Sequence, residues 1–84
     1  MAEIEIFTQA YCPYCARAVA LLRGKGVEFK EIYAPHGTPE RRDAIERSGG
    51  RTTVPQIFIN GEAIGGCDDL VALERAGKLD PMLA

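Results

Sequence analysis

The longest unbroken apolar run in this 84-residue chain is Ala18–Leu22, far short of the roughly 20 residues a membrane-spanning helix needs. Neither sign of charge dominates: ten Lys and Arg against twelve Asp and Glu leave a net charge of −2. No basic block or basic–aromatic alternation is present, so a nucleic acid partner is not expected. The start, Met1-Ala2-Glu3-Ile4-Glu5, is acidic and lacks the basic-then-apolar order of a secretory signal. Cysteine is scarce and odd in number, three in all, which argues against a secreted disulfide framework. There is no tryptophan, no internal repeat and no low-complexity segment. These absences lead us to expect one domain over residues 1–84, in a reducing compartment and hence cytoplasmic, with no membrane partner.

What the chain does have is Ala10-Tyr11-Cys12-Pro13-Tyr14-Cys15-Ala16-Arg17. Two cysteines separated by two residues can close a small disulfide, hold half a metal site, or pair one reactive thiol with a resolving neighbour. The loop they would close is too short to add much stability, so reactivity explains them better than reinforcement. Cys15, Val19 and Leu22 recur at helical spacing. Pro13 suits a first helical position because its missing N–H has no partner there anyway. Cys12 then falls at the N-cap, where free backbone N–H groups and the helix dipole favour an anion. An ordinary thiol pKa of about 8.5 can drop to roughly 3.5–7.5 in such a place. Cys12 is the candidate nucleophile, and Cys15, one turn in, the candidate resolving thiol.

Along the chain, Ile4–Thr8 reads as a first strand, and Pro13 to about Arg23 as a helix stopped by Gly24-Lys25-Gly26. Val27–Tyr33 reads as a second strand, parallel to the first through a right-handed βαβ crossover. Thr38 caps a second helix that begins at Pro39 and continues to Ser48. Arg41, Arg42 and Arg47 are expected on its solvated face, and His36 in an exposed loop before it. Gln56–Ile59 and Glu62–Gly65 form a hairpin around Asn60-Gly61, a strong two-residue turn signal. Asp68 is the expected N-cap of a last helix carrying Leu70, Val71 and Leu73, followed by a tail from Leu79 to Leu83. The order is β-α-β-α-β-β-α, with helices covering both faces of one sheet.

Cys12-Pro13-Tyr14-Cys15, Thr53-Val54-Pro55 leading into Gln56-Ile57-Phe58-Ile59, and Gly65-Gly66-Cys67-Asp68-Asp69 together resemble the glutaredoxins, specifically the short bacterial dithiol type. The resemblance spans essentially the whole chain. It implies a thioredoxin-like α/β fold, a central four-stranded mixed sheet with three helices on its two faces. It also implies glutathione as co-substrate, with a redox-active Cys12–Cys15 disulfide. By this likeness Pro55 follows a cis peptide bond, and the Val54 backbone, with Thr53 beside it, pairs with the cysteinyl part of glutathione. The backbone at Gly66, Cys67 and Asp68 takes the γ-glutamyl carboxylate, and the Asp68 carboxylate meets the ammonium group. Tyr14 flanks the groove beside Cys12. One departure stands out: the family usually carries lysine near Gln9, and either Arg51 or Arg17 takes part of that role or the thiolate leans more on the helix start and nearby donors.

The activity implied is reduction of protein disulfides and of glutathione mixed disulfides, within electron transport and redox homeostasis. Partners are glutathione and disulfide-bonded or glutathionylated proteins, ribonucleotide reductase among the candidates, met by a monomer. Two other classes compete. One is a glutathione-ligated iron–sulfur carrier, although Cys12, Cys15, Cys67 and His36 match no closed zinc spacing and no metal is expected. The other is a redoxin reduced by thioredoxin reductase, against which the acidic Asp68 weighs. Cys67 reads first as a small residue tolerated at a bend.

Overall fold

The computed structural model describes residues 2–84. Its elements are β1 (Ile4–Thr8), α1 (Pro13–Gly24), β2 (Lys30–Tyr33), α2 (Pro39–Arg47), β3 (Gln56–Ile59), β4 (Glu62–Gly65), α3 (Cys67–Arg75) and α4 (Leu79–Leu83). The strands lie in the order β2-β1-β3-β4. β1 runs parallel to β2, with Phe7 opposite Ile32, and antiparallel to β3, with Ile6 opposite Ile57. β3 and β4 form an antiparallel hairpin through Asn60-Gly61, both residues at positive φ. This is the expected thioredoxin-like sheet.

Side chains alternate across a strand, and that alternation divides the core in two. Ile4, Ile6, Ile57 and Ile59 face α1, α3 and α4, meeting Ala18, Val19, Leu22, Leu70, Leu79 and Leu83. Phe7 and Phe58 point the other way and pack with Ala34 and with Ala44 of α2. The two rings meet edge-on at 5.6 Å, a favourable quadrupole arrangement. All of β3 is buried, as befits an inner strand covered on both faces. Gln56, at its start, is therefore placed rigidly beneath the Thr53–Pro55 segment.

Several expectations need correction. β2 starts at Lys30, because in-register pairing begins only where Lys30 meets Glu5; Val27 and Phe29 pack on the larger core without joining the ladder. α2 ends at Arg47, with Ser48 as its cap. α3 starts at Cys67 with Gly66 at the N-cap, not at Asp68. The expected short tail is a fourth helix, one more than the three expected. Leu79 and Leu83, four residues apart, share one face and bury it, while Lys25 ties α3 and α4 to the end of α1 through Glu74 at 2.6 Å and Asp80 at 2.8 Å. Pro81 is tolerated there because it lies in the first turn.

The arginines of α2 do not form one solvated face. Arg42 is exposed, but Arg41 is only 4% exposed. Arg47 lies 4.2 Å over the Phe58 ring and pairs with Glu5 at 2.7 Å. Two arginines thus serve the interior of the α2 face, their planar heads satisfied by carbonyls, a carboxylate and aromatic rings. His36 is exposed as expected.

Candidate active site

The N-terminus of α1 presents the sulfur. Cys12 is the N-cap, in extended conformation, and its Sγ accepts a hydrogen bond from the Cys15 backbone N–H at 3.2 Å. Pro13 occupies the first helical position, so the donors that remain unpaired in the first turn point toward position 12. Tyr11, at φ 57, turns the chain out of β1 and is itself fully exposed. Cys12 is half-buried and Cys15 buried. The two sulfurs are joined as a disulfide, with Cα atoms 5.2 Å apart. The outer cysteine is the one that a substrate can reach.

Across from Cys12 lies the Thr53–Pro55 segment, with a cis Val54–Pro55 bond. The Val54 carbonyl oxygen stands 3.9 Å from Cys12 Sγ. The segment is held from below: Gln56 Nε2 donates to the Thr53 carbonyl at 3.0 Å, and Arg41 donates to the Thr52 carbonyl at 2.8 Å. The third wall is the start of α3. There the Asp69 carboxylate accepts from the Gly66 N–H at 2.9 Å and from Arg51 at 3.1 Å. This is one half of a capping box, since glycine at the N-cap has no side chain to complete the other. The Gly66 N–H, first, and Arg51, second, hold the Asp69 carboxyl below its ordinary value.

Tyr14, Thr53, Val54, Pro55, Gly66, Cys67 and Asp68, the residues expected to bind, line a single cleft of about 230 Å³. Cys12 borders it through the Val54 contact. Arg51, one of the two residues expected to compensate for the absent lysine, also lines the cleft, as does Asp69, which had been assigned no role there. The signal for Asp69 was present, an acidic residue three positions after an N-cap, but it required placing the cap at Gly66. Arg17 sits 5.6 Å from the Tyr14 ring centre, a cation–π distance. Gln9 is not in this cleft. It lines a broader, open groove of about 870 Å³ on the other side of Cys12, with Tyr11, Ala16, Ala20, Arg23 and Glu31.

Cys67 is 3% exposed, and burial pushes its thiol up, an effect offset in part by the charge of Arg17. It is a packed first-turn residue of α3, which agrees with its reading as a small side chain at a bend. Among the described residues, no three His, Cys, Asp or Glu side chains converge as a ligand set, and no helix is long and apolar enough to cross a membrane. Chemically, the arrangement offers one accessible sulfur at a helix start and a second sulfur within bonding reach. Beside them runs a cleft with a peptide-like edge at Val54 and an anion-receptive helix start at its end.

Comparison with known proteins bears on what such a site does. Residues 4–64 match the glutaredoxin family profile. Glutaredoxin 3 of Escherichia coli K12 is 57% identical over 83 residues, covering 99% of both chains. The solution structure of a glutaredoxin from Brucella melitensis superposes with a TM-score of 0.83 at 57% identity, over 99% of this chain and 89% of that one. The crystal structure of a buckwheat glutaredoxin–glutathione complex gives 0.84 at 32% identity, over 98% and 76%.

Proposed function

This chain belongs to the glutaredoxin family and is a glutathione-dependent thiol–disulfide oxidoreductase, and from that premise we propose that Cys12 is its nucleophile and Cys15 its resolving thiol. The Cys12 thiolate attacks the glutathione sulfur of a mixed disulfide. The new bond joins Cys12 to glutathione, and the substrate leaves as a thiolate that takes up a proton. A second glutathione thiolate then attacks the sulfur already on Cys12, releasing oxidised glutathione and restoring the thiolate. With a protein disulfide, Cys12 first binds one substrate sulfur; Cys15 then displaces it, closing Cys12–Cys15 and freeing the substrate's second thiol. Two glutathiones reopen that bond. A low-pKa thiol helps in both directions, as an ionised attacker and as a good leaving group.

The observation that carries this reading is the 3.9 Å approach of Cys12 Sγ to the Val54 carbonyl at the edge of a cleft that ends on the N-terminus of α3. A tripeptide joined through its sulfur to Cys12 would lie along Val54, with Thr53 and Tyr14 beside it. Its γ-glutamyl carboxylate would meet the free N–H groups of Cys67 and Asp68, and its ammonium the exposed Asp68 carboxylate. Residues 1–84 work as one domain and as a monomer, in the cytoplasm. The protein substrates are disulfide-bonded or glutathionylated proteins, with ribonucleotide reductase a candidate.

The test sets two reductants side by side. Glutathione coupled to glutathione reductase is expected to drive turnover of a glutathionylated peptide with saturation in the peptide. Thioredoxin reductase with NADPH is expected to give none. Reduction by the reductase alone would overturn the reading.

A further inference from the structure

Tyr11 runs against the ordinary preferences of a folded chain in two ways. Its side chain is 102% exposed, although an aromatic ring contributes most to a fold when it is buried. Its backbone lies at φ 57, a left-handed conformation that is a genuine outlier for a bulky residue. Neither feature stabilises the protein, and glycine or asparagine would hold this turn with less strain. A strained backbone and an unburied ring, on the residue next to the reacting sulfur, point to a contact with something outside the chain.

The surroundings say what that contact is. Tyr11 lines the open groove of about 870 Å³, on the side of Cys12 away from the Thr53–Pro55 cleft. Ala16, Ala20 and Arg23 follow at helical spacing along one exposed face of α1 and line the same groove, kept shallow by the two small side chains. Glu31 of β2 also borders it, accepting from the Thr8 hydroxyl at 3.0 Å. Among the described residues, Arg23 pairs with no carboxylate. It lies roughly 16 Å beyond Cys12 along α1, at 1.5 Å of rise per residue, a distance that an extended polypeptide covers in about five residues. A tripeptide joined to Cys12 through its middle residue is too short to reach it. We propose that this groove docks the polypeptide of a protein substrate. The segment it fits is extended, with an apolar side chain beside its cysteine to pack on Tyr11 and a carboxylate about five residues away to meet Arg23. The inference deepens the proposed function and rests on Cys12 as the nucleophile. In the step itself the Cys12 thiolate forms a disulfide with the substrate cysteine, the substrate's own S–S bond breaks, and its other sulfur leaves with the electron pair as a thiolate. Tyr11 and Arg23 touch only the polypeptide retained on Cys12, so they select which proteins react and leave the sulfur chemistry unchanged.

The test uses the reduced Cys15→Ser protein, which keeps the mixed disulfide it forms. The probe is a synthetic peptide whose single cysteine is joined to 2-nitro-5-thiobenzoate, with leucine beside the cysteine and aspartate about five residues on. Attack on the peptide sulfur expels the coloured aryl thiolate, the better leaving group, and stopped-flow absorbance follows its release. The same aryl disulfide of N-acetylcysteine is the comparator. At low concentration the peptide should react about fivefold or more faster than N-acetylcysteine, and its rate should saturate. Tyr11→Asn, which tolerates the left-handed backbone but lacks the ring, should lower the peptide rate about threefold or more, while Tyr11→Phe retains it. Arg23→Gln should abolish the part of the rate that depends on the aspartate and on low salt. None of the three should change the rate with N-acetylcysteine. A peptide rate unchanged in Tyr11→Asn, or an aspartate effect unchanged in Arg23→Gln, would overturn the proposal. So would Tyr11→Asn slowing both disulfides equally, since the residue would then act on the sulfur. Failure of the premise looks different: neither disulfide would place its thiol on Cys12, as read by mass spectrometry of the Cys15→Ser protein.

Discussion

The Cys15 backbone N–H lies 3.2 Å from Cys12 Sγ, so the helix donates to that sulfur whatever side chain position 15 carries. Cys15→Ser should therefore keep an activated thiolate and turn over a glutathionylated small disulfide within about threefold of the parent, while losing the ability to release a protein substrate by closing Cys12–Cys15. Cys12→Ser should reduce both reactions to background. Steady-state assays of the two variants check the roles; equal loss in both would show that they are wrongly assigned.

Gly65 joins β4 to α3 at φ 119, and a Cβ there would run into the Asp69 carboxylate and the Arg51 guanidinium. Gly65→Ala must adopt a conformation that L residues avoid and must also break the cap of α3. A loss of about 1–3 kcal/mol in stability is expected, with weaker glutathione binding because the start of α3 moves. Urea denaturation and KM for the glutathionylated peptide measure the two effects together.

Acid should weaken the fold through two carboxylates. Glu5 is held below its ordinary 4.5, chiefly by its hydrogen bond to Arg47. Asp69 is held below its ordinary 3.8, chiefly by the Gly66 N–H. A lowered carboxylate contributes stability that is complete above its unfolded value and is lost as pH falls through its folded one. Unfolding free energy should therefore drop below about pH 4.5. Glu5→Gln should lessen that drop and cost on the order of 1 kcal/mol at neutral pH, whereas Asp69, nearly half exposed, should contribute less through its ion pair. Urea titrations at a series of pH values read both.

Cys67 is buried, and its thiol is pushed up by that burial, so it should remain protonated and unreactive at neutral pH. Brief alkylation of the reduced protein at pH 7, followed by peptide mass spectrometry, should find label on Cys12 and essentially none on Cys67. Labelling of Cys67 at a rate comparable to Cys12 would show that the start of α3 opens readily.

Local chemistry made part of this molecule legible before any coordinates. The N-cap at Cys12, Pro13 at the first helical position and the Asn60-Gly61 turn each announce themselves within a few residues, because caps and tight turns are satisfied by near neighbours. Arg41 could not be read that way. It lies three residues before Ala44, on the side of α2 that faces inward, but an arginine there looks like any solvated helical charge until Gln9, Ala34 and Thr52 are seen around it. The start of β2 was equally hidden, since Val27 and Phe29 are apolar whether they join a ladder or only pack on one.

By itself, the sequence determined that a cysteine stands at the start of α1 and placed most of the strands and helices, α4 and the start of β2 excepted, since those depend on short-range hydrogen bonding and on periodicity. Only the tertiary structure decided that Val54 stands 3.9 Å from Cys12, that Gly66 rather than Asp68 is the N-cap of α3, its N–H held by the Asp69 carboxylate, and that a buried Arg41 ties the loop before Cys12 to Thr52. Those relationships join residues from separate elements, and their geometry is set by how the sheet and helices pack, which no local stretch of chain encodes.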